Sequence, residues 1–244
     1  MSSDHYYRSD LALVHDRGFG AHADLCAPGI VKLLDPIRAR GGLVLELGCG
    51  SGRLTRHLVD AGHQVIATDA SPAMLALARQ AVPEADIRRL VLPDDPLPDA
   101  DAIVAVGHVL NYLDDEAAIE RAWAAIARAL RPGGVLAADV CDLEWGATRA
   151  SAPPYGQLTD EWAIFTRYSC PSPARFVRDI TVFVRESGGS WRRDDERHEN
   201  VLLETLLIPA LLARHGIDAT VRPSFGTEQL PVGLKAVVGK RVTS

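Results

Sequence analysis

Two groups of residues in this chain have types and spacings suited to holding a ligand. The first is Leu43-Val44-Leu45-Glu46-Leu47-Gly48-Cys49-Gly50-Ser51-Gly52, an apolar run that carries an acid near its end and breaks into glycines at alternate positions. A turn of this kind brings backbone N–H groups and a helix N-terminus up to a ligand. Glycine is needed there because a Cβ would block close approach and resist positive φ. The second is Asp69, nineteen residues beyond Gly50 and directly after the apolar stretch Val65-Ile66-Ala67-Thr68. A carboxylate about 20 residues past a glycine loop, at the end of the next strand, can accept hydrogen bonds from ribose hydroxyls. Its charge also repels a 2′-phosphate. Asp69 is not needed as a helix cap, because Ser71 followed by Pro72 is the better start for the helix Ala73–Ala81.

These groups require a frame. Leu43–Leu47 reads as a buried strand and Arg53–Ala61 as the helix after the glycine turn, closed by Gly62. Val65–Thr68, Ile87–Leu92, Ala102–Val106 and Val135–Val140 read as further strands, with a helix over 114–130 stopped by Arg131-Pro132-Gly133-Gly134. Strands alternating with helices imply a mostly parallel sheet, whose ligands sit at the carboxyl ends of the strands. The glycine turn, Asp69, Asp94 and Gly107-His108 all fall at such ends. Upstream, residues 1–19 read as a short lead-in over the ligand mouth, with Tyr6, Tyr7 and Phe19 as anchors. Ala21–Arg40 is amphipathic at helical spacing, with Pro28 predicting a break or a new start.

The chain has 244 residues, enough for one domain with its own core, and a net charge of −6 with no long basic run. That balance disfavours a nucleic-acid substrate. Cys26, Cys49, Cys141 and Cys170 are scattered and read as reduced thiols rather than a disulfide frame or zinc site. The histidines His5, His15, His22, His57, His63 and His215 show no metal-ligand spacing. The polar N-terminus is not a signal peptide, and no segment approaches a membrane span. The expectation is therefore a cytoplasmic protein, monomer or homodimer, without metal.

The spacing Gly48-Cys49-Gly50-Ser51-Gly52, with Glu46 two residues ahead, resembles motif I of the class I S-adenosylmethionine (SAM) methyltransferases, and Leu130-Arg131-Pro132-Gly133-Gly134 before a buried strand is similar to a second motif of that family. The resemblance covers roughly residues 40–140 by motif and 200–244 by layout. It implies an α/β, Rossmann-like seven-stranded sheet with helices on both faces and a reversed last strand. It also implies SAM as methyl donor and S-adenosylhomocysteine (SAH) as product. Carried over, Glu46, Gly48, Cys49 and Gly50 face the methionine moiety and Asp69 the ribose. Ala70 and Met74 flank the adenine, with Pro93 and Asp94 at its edge and Asp95 as the rival to Asp94. Gly107 and His108 lie beside the sulfonium. DNA and protein amide enzymes of the family carry [DN]-P-P-[YF] after the fourth strand. Here Gly107-His108-Val109-Leu110 stands there, pointing to a small-molecule acceptor.

Residues 141–200 exceed what a minimal sheet of this family needs between its fifth and sixth strands. Trp162–Tyr168, Phe176–Glu186 and Trp191–Glu199 read as strands of an antiparallel lid, with a hairpin at Ser187-Gly188-Gly189. A helix over Val201–His215 and strands at Ala219–Phe225 and Lys235–Lys240 close the domain. The chain thus divides into a cap (1–40), a SAM-binding core (41–140), a substrate lid (141–200) and a closing segment (201–244).

The expected reaction is in-line transfer of a methyl group to N or O of a small molecule, in a setting such as secondary metabolism. If the nucleophile starts protonated, His108 is the first candidate base and His198, in Glu196-Arg197-His198-Glu199, the second. A catechol-type metal site is disfavoured, since Cys141-Asp142-Leu143-Glu144 stands where an Asp-Asn pair is needed. Two other readings remain. One is a nicotinamide-dependent oxidoreductase, against which the third glycine comes one residue early. The other is a SAM-binding protein without chemistry.

Overall fold

The structure is a computed structural model, and residues 6–243 are described. In chain order the elements are α1 (Ser9–Gly18), α2 (Ala21–Ala39), β1 (Leu43–Leu47), α3 (Arg53–Asp60), β2 (Gln64–Asp69), α4 (Pro72–Ala81), β3 (Asp86–Arg89) and β4 (Ala100–Ala105). They continue with α5 (Glu116–Ala129), β5 (Leu130–Cys141), α6 (Leu143–Arg149), β6 (Tyr155–Leu158), β7 (Trp162–Ser172), β8 (Arg175–Arg185) and β9 (Trp191–Val201). The chain ends with α7 (Ile208–Ala213), β10 (Ile217–Arg222) and β11 (Leu234–Arg241).

Seven strands form one sheet in the order β10-β11-β5-β4-β1-β2-β3. The pairs β1–β2, β1–β4, β2–β3 and β4–β5 are parallel, and β11 runs antiparallel to β5 and β10. The expected α/β sheet with a reversed closing pair is present. Side-chain alternation along β1 explains the layering. Val44 enters a core beneath α2 and α3 with Ile30, Leu34 and Leu58. Leu45 and Leu47 enter the opposite core, around Trp123 and Ile126 of α5 and Leu212 of α7. Among the described residues no helix is long and apolar enough to cross a membrane.

A second sheet, β6-β7-β8-β9, is antiparallel and stands where the lid was expected. It has one strand more than predicted, β6, and the short α6 precedes it. Its inner face, with Trp162, Ile164, Ile180 and Val182, packs on Leu11 and Val14 of α1. The N-terminal helix is therefore held by the lid, whereas α2 packs on the main sheet.

Four sequence expectations change. Pro28 does not break α2, which runs through it. Burial of Ala27, Ile30, Leu34 and Ile37 outweighs the missing N–H of Pro28. No helix links β3 to β4, so the alternation is interrupted there. β3 ends at Arg89, short of Leu92, freeing the loop that follows. The helix expected over Val201–His215 shrinks to α7, because β9 extends to Val201 and Pro209 sits in the first turn of the helix.

Candidate active site

A cavity of about 1290 Å³ opens at the carboxyl ends of β1, β2 and β4, beneath the lid. A pocket for one small ligand holds roughly 300–1,000 Å³, so two molecules fit side by side.

One half of the cavity is backbone. Gly48 (φ +70°) and Gly50 (φ +55°) turn the chain out of β1. A Cβ on Gly50 would meet no protein atom within 4 Å, so it would occupy the open cavity. Asp69 Oδ2 accepts from the Gly50 N–H at 2.9 Å and Oδ1 from the Ser71 N–H at 2.8 Å. Burial pushes the Asp69 carboxyl above its usual range, against the pull of these two amides. Ser71 caps α4 by accepting from the Met74 N–H and donates to the Tyr7 carbonyl at 2.8 Å. The helix start and the N-terminal segment are thus fixed together.

The structure brings Gly48, Cys49, Gly50, Asp69, Ala70, Met74, Pro93, Asp94, Gly107 and His108 into the lining of this one cavity. Glu46 is not brought there. It is buried under the turn, with its carboxylate accepting from the Thr55 hydroxyl at 2.7 Å. Burial pushes Glu46 up to about 7, the Thr55 bond opposing and the charge of Asp69 adding. The native chain therefore takes up a proton between the ordinary glutamate range, near ~4.3, and 7, while the unfolded chain does not. Stability must fall as pH rises through that window, by about 3 kcal/mol in full. The expected result is a urea midpoint that drops between pH 5 and 7.5, and a Glu46→Gln variant in which most of that drop is gone.

The other half is made of aromatic and basic side chains. His108 stands in the left-handed region (φ +49°) directly after β4, with its Nδ1 buried and unpartnered. Its ring stacks on Tyr112 at 5.6 Å. Burial, and next the charge of Arg178, hold the imidazole down to about 3, so His108 is neutral at physiological pH. His15 on α1 is held down to about 4 by the same two causes. Tyr7, Phe19, Trp145 and Arg178 complete this half.

His198 does not line the cavity. It is fully buried on β9, its Nε2 against Glu196 Oε2 at 2.8 Å, behind the rings of Tyr6 and Tyr7. The Glu196 carboxylate also accepts the N–H groups of Tyr7 and Arg8. The pair therefore anchors the N-terminal segment to the lid.

Asp139 was not singled out from the sequence. Buried near the end of β5, it accepts the N–H groups of Gly107 (3.2 Å) and His108 (2.5 Å) and meets His22 Nε2 at 2.6 Å. The available signal was an acid inside an otherwise apolar strand, Ala137-Ala138-Asp139-Val140. Burial works against both charges of the pair, yet each partner outweighs it: His22 is raised and Asp139 lowered. His22, Cys26 and Asp139 offer donor atoms within 4.8 Å of one another. Burial keeps the Cys26 thiol protonated, and Asp139 is already engaged, so the cluster reads as a hydrogen-bonded support. His5 lies outside the described residues.

Residues 44–134 match the family described as "Methyltransferase domain". An uncharacterized methyltransferase of Mycobacterium tuberculosis is 35% identical over 134 residues, covering 53% of this chain and 52% of its own. The chain thus spans about half the length of the curated relatives it matches first. Across nearly the whole chain the fold is that of a solved S-adenosylmethionine-dependent methyltransferase from Clostridium acetobutylicum (TM-score 0.81, 18% identity, 95% of this chain and 98% of that one). It is also that of a sugar N-methyltransferase from Streptoalloteichus (TM-score 0.80, 22% identity, 97% and 95%). Residues 44–134 thus match a methyltransferase domain in sequence, and the chain as a whole has the fold of the SAM-dependent methyltransferases.

Proposed function

We propose that this protein transfers a methyl group from SAM to a nitrogen or oxygen of a small molecule. The observation that carries the reading is a single cavity with two unlike halves, a glycine and carboxylate rim facing an aromatic and basic pocket. The rim fits a nucleoside donor: open space over Gly50, a turn that Asp69 holds through the Gly50 amide, and Asp69 itself at the end of β2 for the ribose. Ala70 and Met74 would flank the adenine, with Pro93 and Asp94 at its edge. Gly48, Cys49 and Gly50 would face the methionine part. Glu46 would act from below, by shaping the turn.

SAM, when bound, would supply a methyl group on a sulfonium whose sulfur departs readily as the neutral thioether of SAH. The chain's own task is then proximity and alignment, which can supply most of the rate. The lid and α1 close the pocket from above and exclude water. Gly107 and His108 present the acceptor to the donor half, and Asp139 fixes both amides. His108, uncharged, can accept a hydrogen bond from the acceptor's N–H or O–H and orient its lone pair. It is the one residue proposed to touch the reacting atoms. His198 serves the lid, not the reaction. No metal is required by this scheme.

A small acceptor suits an enclosed pocket and an acidic chain, and the sugar N-methyltransferase among the structural neighbours supports the same class. We read the chain as cap, core, lid and closing segment of one cytoplasmic domain, monomeric or homodimeric. The test is release of SAH from methyl-labelled SAM across a panel of amines, amino sugars and alcohols. Label should move to at least one acceptor. With that acceptor, His108→Ala should lower kcat by about 10²-fold with SAM affinity unchanged. SAM binding without transfer to any acceptor would favour a binding protein instead.

A further inference from the structure

We propose that the acceptor carries a carboxylate and that Arg178 of the lid binds it. This rests on reading the cavity as a methyl-transfer site and names the chemical class of the acceptor.

The observation is a half-buried charge without a counter-charge, its Nε shielded from water. Arg178 lies on β8, opposite His198 of β9, and lines the cavity. Its Nη2 donates to the Tyr112 hydroxyl, and its Nε is buried with no partner. Among the described residues no carboxylate lies within ion-pair distance of it. The three arginines of the neighbouring strand β9 are matched to acids: Arg192 with Asp10, Arg193 with Asp195, and Arg197 with Asp179 and Glu199. The groups around Arg178 are neutral. His15 and His108 are uncharged, and Tyr112 is kept protonated by burial. Two acids that line the same cavity near the lid are engaged elsewhere, Glu199 by Arg197 and Asp115 by the Ala118 amide, and Asp114 beside them also has a partner.

A cation drawn partly out of water is costly unless something pairs with it. A guanidinium presents parallel N–H groups in one plane, which match the two oxygens of a carboxylate. A carboxylate also brings the single negative charge that one guanidinium meets. The position is productive. Arg178 bonds Tyr112, and Tyr112 stacks on His108. An acceptor anchored by its carboxylate at Arg178 would extend along the Tyr112 ring toward His108 and the donor half.

The test separates this from the methyltransferase reading by measuring SAH binding first, by calorimetry. The SAH-loaded protein is then titrated with benzoate and hexanoate, each beside its neutral amide. Both acids are expected to bind at least ~10-fold tighter than benzamide and hexanamide. Arg178→Met should erase that preference while leaving SAH affinity as it was. Arg178→Lys, which keeps the charge but not the fork, should fall between the two. Equal binding of acids and amides, no binding of either acid, or a preference that survives Arg178→Met would overturn the proposal while the SAM reading stood. Tighter binding of phenyl phosphate than of benzoate would overturn the carboxylate assignment. The comparison of acid with amide in the native protein decides the matter even if a variant fails to fold. Failure of SAH to bind would remove both readings together.

Discussion

A Gly50→Ala protein is expected to fold and to lose most of its affinity for SAM. The backbone there sits at φ +55°, where an L side chain costs about 1–2 kcal/mol. The added Cβ meets no protein atom within 4 Å, so packing is undisturbed. The methyl group lies instead in the cavity, where a ligand must come close to the turn. Overpacking of that kind costs about 1–3 kcal/mol, up to ~100-fold in Kd. Gly48→Ala is the contrast. Its Cβ would come within 2.4 Å of Val109 Cγ2, so that variant should lose stability as well. Calorimetry with SAH and thermal unfolding, run on both variants, separate the two effects. A Gly50→Ala protein that binds SAH as the parent does would mean that no ligand approaches the turn.

Asp139→Ala is expected to have the larger effect on stability, about 3–5 kcal/mol in urea unfolding. The carboxylate, itself fully buried, satisfies two backbone amides and a partly exposed histidine at once. Its removal leaves the Gly107 and His108 N–H groups unpaired, and the left-handed His108 has nothing to hold it. Faster hydrogen exchange at the His108 amide should accompany the loss. The pH dependence follows from the directions of the two shifts. Asp139 is lowered, so its contribution is present above the ordinary carboxylate range, near ~3.9, and fades as pH falls through the folded value. His22 is raised, so its contribution is complete below ~6.5 and fades as pH rises through its folded value. The pair is therefore most stabilising between those limits, and Asp139→Ala should flatten the curve at both ends. An unchanged midpoint in the variant would remove Asp139 from the support of the site.

The glycine and carboxylate half of the cavity was legible in the sequence because its information is local. A strand, a glycine turn and a helix follow one another, and Asp69 lies at a fixed distance in the next strand. The parallel sheet follows from the same repeats. The aromatic and basic half was not legible, because its residues meet only through tertiary placement. Arg178 stands beside Asp179 within a mostly apolar strand, and an adjacent opposite charge reads as a local pair. Its partner Tyr112 lies sixty-six positions away. His198 has the opposite history. It stands among charged residues in sequence, yet the N-terminal tyrosines cover it completely. Asp139 could have been found by the rule that drew out Asp69, an acid near the carboxyl end of a buried strand. Pro28 was misread because a local rule was applied where burial of one helix face decides.

The central claim is that the rim formed by Gly48, Gly50 and Asp69 receives an adenosyl sulfonium. Titration calorimetry of the native protein with SAH, SAM and NAD, repeated on Gly50→Ala, tests it most directly. The expected result is one-to-one binding of SAH and SAM that the variant loses, and no heat from NAD. Binding of NAD with none of SAM or SAH would contradict it.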